Sequence, residues 1–342
     1  MKNNRRWCLA SRPVGDVKPS DFKMMTSPAP TPGEGEFLAR VIYLSLDPTH
    51  RLWTREKDSY MPSVPLGGVM RGFTMGVVVT SNHPDFPIGT IVTGVFGWAD
   101  YFVSDGSGLV AKVDQDPRLP LTARFGLFEH IGLTAYFGIL DILKPKFGDT
   151  MVVSGAAGAV GSIAAQIGKI MGCRVVAIAG SDEKCDWLKN ELGVDEALNY
   201  REGSLVDALR EACPNGVDVF FDNVGGQILE AVLENINMYG RVAMCGAISQ
   251  YASDDAPYVP RNLYNLLNKR ASIQGFIVLD YAADARWWRK AEGDITLWHM
   301  QGRLKYRLDI VDGLENAPNA LTKLFNGTNS GKLLVKVSNE PA

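Results

Sequence analysis

The chain has 342 residues, 46% hydrophobic and 21% charged, with 35 glycines and 18 prolines. That is the make-up of a globular protein rather than a disordered or collagen-like one. At roughly 100–200 residues per domain the length calls for about two domains, which need no disulfide or metal staple, and a net charge of −3 argues against the basic domain of a nucleic-acid binder.

Five cysteines (Cys8, Cys173, Cys185, Cys213 and Cys245) are scattered and form no C-x-x-C pair. They read as reduced thiols of a cytoplasmic protein. The four histidines, His50, His83, His130 and His299, lie far apart, and no spacing suits a metal, so none is expected. The basic start, residues 1–6, is followed by too short an apolar run for a signal peptide. Residues 150–168 are uncharged and as long as a membrane span. Their glycines, alanines and serines read instead as strand, turn and helix, and no membrane partner or lipid anchor is expected.

Residues 1–125 carry short β-rich runs at 37–44, 76–80, 90–95 and 98–103 among many prolines and glycines. This predicts a small, partly open β-barrel. The rhythm changes near Gly126. A strand at 150–154 precedes a helix at 160–171, a strand at 173–179, a helix at 182–192 with acidic residues in its first turn, and a strand at 197–200. Further strands are expected at 217–221, 241–245 and 272–278. This alternation predicts an α/β domain of the Rossmann type, a doubly wound parallel sheet covered on both faces. Strands at 304–311 and 333–337 around a helix at 314–325 are expected to rejoin the barrel. The expected division is 1–125 with 305–342 for the barrel domain, and 126–304 for the Rossmann domain.

The strongest motif is Ser154-Gly155-Ala156-Ala157-Gly158-Ala159-Val160-Gly161, between a predicted strand and a helix. A dinucleotide pyrophosphate needs such a turn: glycine for the bend, bare backbone N–H groups near the phosphates, and close strand–helix packing. The next strand ends Ala179-Gly180-Ser181-Asp182-Glu183-Lys184. An acidic residue at that tip would hold the ribose hydroxyls of NAD. Here Gly180 and Ser181 occupy it and Lys184 lies one helical turn on, which suits a 2′-phosphate. NADPH is therefore the expected cofactor, with Asp182 the residue that would favour NAD in a tighter turn. Asp222-Asn223-Val224-Gly225-Gly226 and Cys245-Gly246-Ala247-Ile248-Ser249-Gln250-Tyr251 end later strands, at the edge where ligands bind. Asn223 either touches the cofactor or satisfies local backbone. Tyr251 either offers a phenol to a substrate oxygen or packs as an aromatic.

These motifs occur in one order with Tyr43-Leu44-Ser45-Leu46-Asp47-Pro48, Gly132-Leu133-Thr134-Ala135-Tyr136-Phe137-Gly138, Gln274-Gly275-Phe276-Ile277-Val278 and Asn329-Ser330-Gly331-Lys332. The whole chain resembles the zinc-independent medium-chain dehydrogenase/reductases, and within them the leukotriene B4 dehydrogenase/prostaglandin reductase group and the NADPH-dependent curcumin reductases. The resemblance implies a GroES-like barrel, a Rossmann domain, a homodimer, and reduction of a carbon–carbon double bond conjugated to a carbonyl. It implies that Gly158, Ala159, Val160 and Gly161 form the phosphate turn, and that Lys184 and Tyr200 hold the 2′-phosphate beside Ser181. Asn329 is a further cofactor contact and Asn223 an adenosine-side one. Cys245, Gly246, Ala247, Ile248 and Ser249 line the crevice. Phe276, Ile277 and Val278 offer backbone to the nicotinamide amide, and Tyr251 stands beside nicotinamide and substrate.

Two departures from the family pattern fall near the cleft. Asp47-Pro48-Thr49-His50-Arg51 stands where the family usually reads Asp-Pro-Tyr-Met-Arg, and Glu129-His130 stands where it tends to have Gly-Met. Thr49, His50 and Tyr251 are thus the candidate pocket residues. His130 either donates a proton, since imidazole titrates near neutrality, or shapes the pocket. The expected reaction sends hydride to the β-carbon of an enone or enal. Tyr251 and the cofactor ribose are the expected donors to the developing enolate oxygen, and Tyr251, His130 or water protonates the α-carbon. Two rival readings are an NADPH quinone oxidoreductase and a non-catalytic NADPH-binding scaffold or sensor.

Overall fold

The computed structural model describes residues 3–114, 116–252 and 257–341. An antiparallel hairpin of β1 (Asn3–Leu9) and β2 (Phe22–Pro28) opens the chain. It has no counterpart among the expected strands, because the charges of Arg5 and Arg6 mask its alternation. In the fold Arg5 is neutralised by Asp100 and Glu315, both at 3.0 Å. The barrel strands follow as β3 (Phe37–Ser45), then α1 (Thr49–Trp53), β4 (Phe73–Ser81), β5 (Ile91–Val95), β6 (Tyr101–Ser104) and β7 (Ala111–Lys112). A helical run comes next: α2 (Ala123–Leu127), α3 (Glu129–Phe137) and a wide turn at Gly138–Leu143. By length and composition Ala123–Leu143 would span a membrane, but its most apolar stretch is 67% buried in the protein.

The second half alternates as expected. It runs β8 (Thr150–Val153), α4 (Ala159–Ile170), β9 (Arg174–Ala179), α5 (Asp182–Asn190), β10 (Glu196–Asn199), α6 (Leu205–Ala212), β11 (Val217–Asp222), α7 (Gly226–Glu234), β12 (Ile236–Met244), α8 (Tyr264–Lys269), β13 (Ser272–Gly275) and α9 (Ala285–Met300). The strands form one parallel sheet in the order β10-β9-β8-β11-β12-β13. Order reverses between β8 and β11, which opens a crevice at their carboxyl ends. Strand side chains alternate between two cores. Met151, Val153, Val175, Ala177, Val219 and Phe221 face one side, with residues of α3, α4 and α9. Val152, Val176, Ile178, Phe220 and Val242 face the other, with α6 and α7. The last strand stops at Gly275 rather than 278, because Val278–Ala283 winds into a short 3-10 turn.

The chain then returns to the first sheet through β14 (Leu308–Asp312), α10 (Ala317–Asn326) and β15 (Lys332–Lys336). That sheet runs β14-β15-β3-β4-β5-β7, with β6 also paired to β3, and forms the partly open barrel. The chain thus combines the expected barrel and Rossmann architectures.

Gly161 sets how closely α4 meets the strand end. A Cβ there would lie 2.3 Å from the Gly155 carbonyl oxygen, inside van der Waals contact. Gly161→Ala is expected to cost about 1–3 kcal/mol through forced displacement of α4, measured as a lower denaturant midpoint.

Candidate active site

The crevice begins at the glycine turn. Gly155 takes φ +56°, which favours glycine. Gly158 caps α4 with extended backbone, and no acidic residue stands in the first helical turn. The positive end of a 12-residue helix is therefore left for a pyrophosphate. Gly158 also bridges to Gly331 in the parallel sense, so the loop before β15 closes over the turn. Asn329 lies in that loop, its Nδ2 donating to the Gly331 carbonyl at 3.0 Å.

The tip of β9 forms a cationic corner. Ser181 caps α5 by accepting the Lys184 N–H. Lys184 Nζ donates to the Gly327 carbonyl at 2.7 Å. Burial lowers its pKa, and Arg201 lowers it further against the opposing pull of Glu183. Tyr200 packs against Gly180, where a Cβ would come within 3.1 Å of its ring, and the Arg201 guanidinium lies 5.7 Å from the centre of that ring. Among the described residues these two neighbouring cations share no carboxylate, which suits a phosphate dianion. The Asp182 carboxylate accepts the Asn199 Nδ2 at 2.9 Å. Arg201 was not among the expected contacts, although it directly follows Tyr200.

At the reversal point Ser154 Oγ donates to Asp222 at 2.7 Å and accepts the Asn223 N–H at 2.9 Å. Asn223 Nδ2 donates to the Ser154 carbonyl at 2.7 Å. Its amide thus does the local backbone work and holds the residue at the crevice edge. Cys245 and Gly246 donate their N–H groups to the Asp222 carbonyl. Ile248 and Ser249 follow in the same way onto Asn223 and Val224, so the segment from Cys245 to Ser249 wraps the ends of β11 and β12. Burial pushes the Cys245 thiol up to about 12, with Asp222 adding to the effect. Phe276 meets Phe221 edge-on at 6.3 Å. Ile277 and Val278 leave the sheet just beyond β13.

Tyr251 closes this wall. Its Oη accepts the Ala247 N–H at 3.2 Å, which leaves the phenol proton free to donate. Burial raises its pKa. Arg55 Nη2 donates to the carbonyls of Gln250 and Tyr251, both at 3.1 Å, and joins the segment after α1 to this wall. Tyr60, in that segment, shares a 2.5 Å hydrogen bond with Thr49. Burial raises the Tyr60 pKa, with Tyr251, Asp47 and Cys245 all near enough to add to the effect. No periodicity marks Tyr60 in the sequence; only the folded loop brings it here.

Beneath Thr49 lies a buried ionic network. Lys332 Nζ donates to Asp47 Oδ1 at 2.6 Å and to the Leu46 carbonyl at 3.0 Å. Ser45 bonds the other carboxylate oxygen at 2.5 Å, and His130 Nε2 lies 3.1 Å from Oδ1. Burial alone would raise the Asp47 pKa, but Lys332 and His130 hold it well below the usual carboxylate range. The His130 ring stacks on Phe73 with centroids 3.9 Å apart. His50 does not line the open cleft as expected: it is fully buried, tilted against Trp53 and Trp98. Both of its nitrogens lack a partner among the described residues. Burial drives its pKa down to about 3, with Lys332 and His130 opposing the pull of Asp47. Among the described residues no group of three or more His, Cys, Asp or Glu is placed to hold a metal ion.

A doubly wound sheet, a glycine turn at a bare helix N-terminus and a cationic ribose corner define a nicotinamide-dinucleotide oxidoreductase. Residues 5–112 match the family described as the N-terminal domain of oxidoreductase, and residues 159–291 match the zinc-binding dehydrogenase family. The chain is 42% identical to the NADPH-dependent curcumin reductase of Escherichia coli (strain K12), over 99% of this chain and 98% of that one. It is 40% identical to prostaglandin reductase 1 of Bos taurus, over 98% and 100%. The crystal structure of CurA from Vibrio vulnificus in complex with NADPH superposes with a TM-score of 0.92 at 42% identity, covering 98% of this chain and 100% of that one. The chain belongs to the zinc-independent medium-chain dehydrogenase/reductases, in the group of the prostaglandin and curcumin reductases. The corner at Lys184 suits the 2′-phosphate of NADPH, the cofactor for which both the curcumin reductase and the CurA complex are named.

The buried network predicts an acid response. His50 has a folded pKa of about 3, against about 6.5 when unfolded. Between those values the unfolded chain binds a proton that the folded chain refuses, so stability falls as pH falls. From pH 7 to pH 5 this term removes about 2 kcal/mol, and His50→Met is expected to abolish it in urea titrations at the two pH values. Lys332→Met leaves Asp47 buried without its ion partner and is expected to cost about 3–5 kcal/mol at pH 7 in the same titration.

Proposed function

We propose that this protein reduces the carbon–carbon double bond of α,β-unsaturated ketones and aldehydes, with Tyr251 as the donor to the substrate carbonyl. The observation that carries this reading is the Tyr251 phenol. It is half-buried on the wall formed by Cys245 to Ser249, and its oxygen accepts the Ala247 N–H, so that its own proton is free to donate. Bound in the crevice, NADPH supplies the hydride for the β-carbon. Gly158, Ala159, Val160 and Gly161 hold the pyrophosphate at the start of α4. Ser181, Lys184, Tyr200 and Arg201 hold the 2′-phosphate, and Asn329 closes over it from the loop before β15. Asn223 and Cys245 to Ser249 border the adenosine and ribose side, while Phe276, Ile277 and Val278 face the nicotinamide amide.

As charge builds on the carbonyl oxygen, Tyr251 donates to it. One such donor stabilises the transition state by about 3–4 kcal/mol in a desolvated cleft. A conjugated β-carbon is already electrophilic, so the residues described need only bind, align and stabilise the oxygen. His130 takes a positioning role: with Lys332 it fixes Asp47, and so the short link between β3 and α1, the helix that Thr49 opens.

We further propose the division of residues 1–125 with 305–342 from 126–304, supported by the return of β14 and β15 to the first sheet. A homodimer through the β13 edge is supported by the exposure of Ser272 and Gln274 on that last strand, and of Tyr264 and Leu267 on α8. A cytoplasmic location is supported by five free cysteines.

The test is NADPH oxidation across enals, acyclic and cyclic enones, and quinones. Enone turnover should exceed quinone turnover. Tyr251→Phe is expected to lower kcat by about 100- to 1000-fold with the NADPH Kd unchanged. Undiminished turnover removes Tyr251 from the mechanism. Lys184→Ala should raise the NADPH Kd by about 10- to 100-fold and leave the NADH Kd unaltered, read by calorimetry.

A further inference from the structure

We propose that Thr49 and Tyr60 form a two-hydroxyl relay that delivers a proton from solvent to the substrate α-carbon. The relay rests on the enone-reductase reading above and supplies the step that reading leaves open.

The hydroxyls of Thr49 and Tyr60 lie 2.5 Å apart, and neither has another hydrogen-bond partner among the described residues. Each hydroxyl carries one proton and accepts others. Their mutual bond uses one proton, so the second remains free to point into the cleft. The pair also spans the boundary between solvent and cleft: Tyr60 is 46% exposed, whereas Thr49 is half-buried. The segment carrying Tyr60 is fastened at both ends. Arg12 Nη1 donates to the carbonyls of Thr54, Arg55 and Val64 at 2.8, 2.7 and 3.0 Å. Arg55 ties the same segment to Gln250 and Tyr251. The hydroxyl pair is thereby held beside the Tyr251 wall.

The other donors have separate commitments. Tyr251 serves the carbonyl oxygen. His130 bonds Asp47 through Nε2, with its ring against Phe73, and its Nδ1 is buried with no partner among the described residues. The Tyr60 pKa lies above the ordinary tyrosine value, so the phenol is protonated at neutral pH. In the step itself, the enolate electrons form a C–H bond at the α-carbon with the Thr49 proton. The Thr49 oxygen takes the Tyr60 proton, and Tyr60 takes one from water, leaving hydroxide in the bulk. Nothing is oxidised or reduced in this transfer. Thr49 is the catalytic residue of the pair, and Tyr60 acts through it.

The experiment runs the holoenzyme with NADPH and an α-methyl enal in D2O, and reads the configuration of deuterium at the α-carbon of the product. Wild type should give one configuration. Thr49→Val and Tyr60→Phe should lower kcat by about 10- to 100-fold and scramble the α-carbon, with the β-carbon still reduced on one face and the NADPH Kd unchanged. Thr49→Ser should restore the single configuration. A single configuration retained in Thr49→Val and Tyr60→Phe overturns the relay, whether or not kcat falls, because a fall alone then reports packing or binding. Wild type that reduces no enone overturns the enone reading and the relay together, while an active wild type with indifferent variants overturns the relay alone.

Discussion

The buried pair of Lys332 and Asp47 is the contact on which the site depends. Lys332 opens β15, directly after the Gly331 bridge to the phosphate turn. Asp47 follows β3, two residues before Thr49, the first residue of α1. One ion pair therefore fixes the glycine turn and the segment that bears Thr49 relative to each other. Its partners explain why the charges are tolerated: Ser45, His130 and the Leu46 carbonyl satisfy what the pair leaves open. A buried pair of this kind contributes more to alignment than to net stability, since desolvation offsets much of its attraction.

The two walls of the cleft use different physics. The coenzyme wall relies on backbone: bare glycines, a helix N-terminus and strand ends whose positions follow from the parallel sheet. The substrate wall relies on side chains from a loop with little regular structure, fastened by Arg12 and Arg55 onto carbonyl oxygens. Guanidinium groups suit this task because they present several donors in a fixed plane. Backbone-built walls are insensitive to side-chain drift. A wall made of hydroxyls changes its chemistry with a single substitution, as Thr49 illustrates.

Much of this arrangement was legible in the chain. The β-α alternation from residue 150 onward located the parallel sheet, because strands buried on both faces are continuously apolar. The spacing of Gly155, Gly158 and Gly161 located the tight turn before α4, and the tip at Ser181 and Lys184 pointed to the phosphorylated coenzyme. Other elements left weaker marks. The first hairpin was hidden by arginines whose neutralising partners lie far off in sequence. The helix Ala285–Met300 fully buries only Ala291 and Ile295, a stripe too narrow to stand out.

By itself the sequence determined what is local: periodicity, turn chemistry and the charge at a strand tip, each set by neighbours within a few residues. Only the tertiary structure decided that His50 turns into an aromatic box, that Arg201 joins Lys184, and that Tyr60 meets Thr49 beside Tyr251. The reason is geometric. A side chain's partners depend on where distant segments close, and burial then sets whether the same imidazole or phenol lines a cleft or supports it from behind.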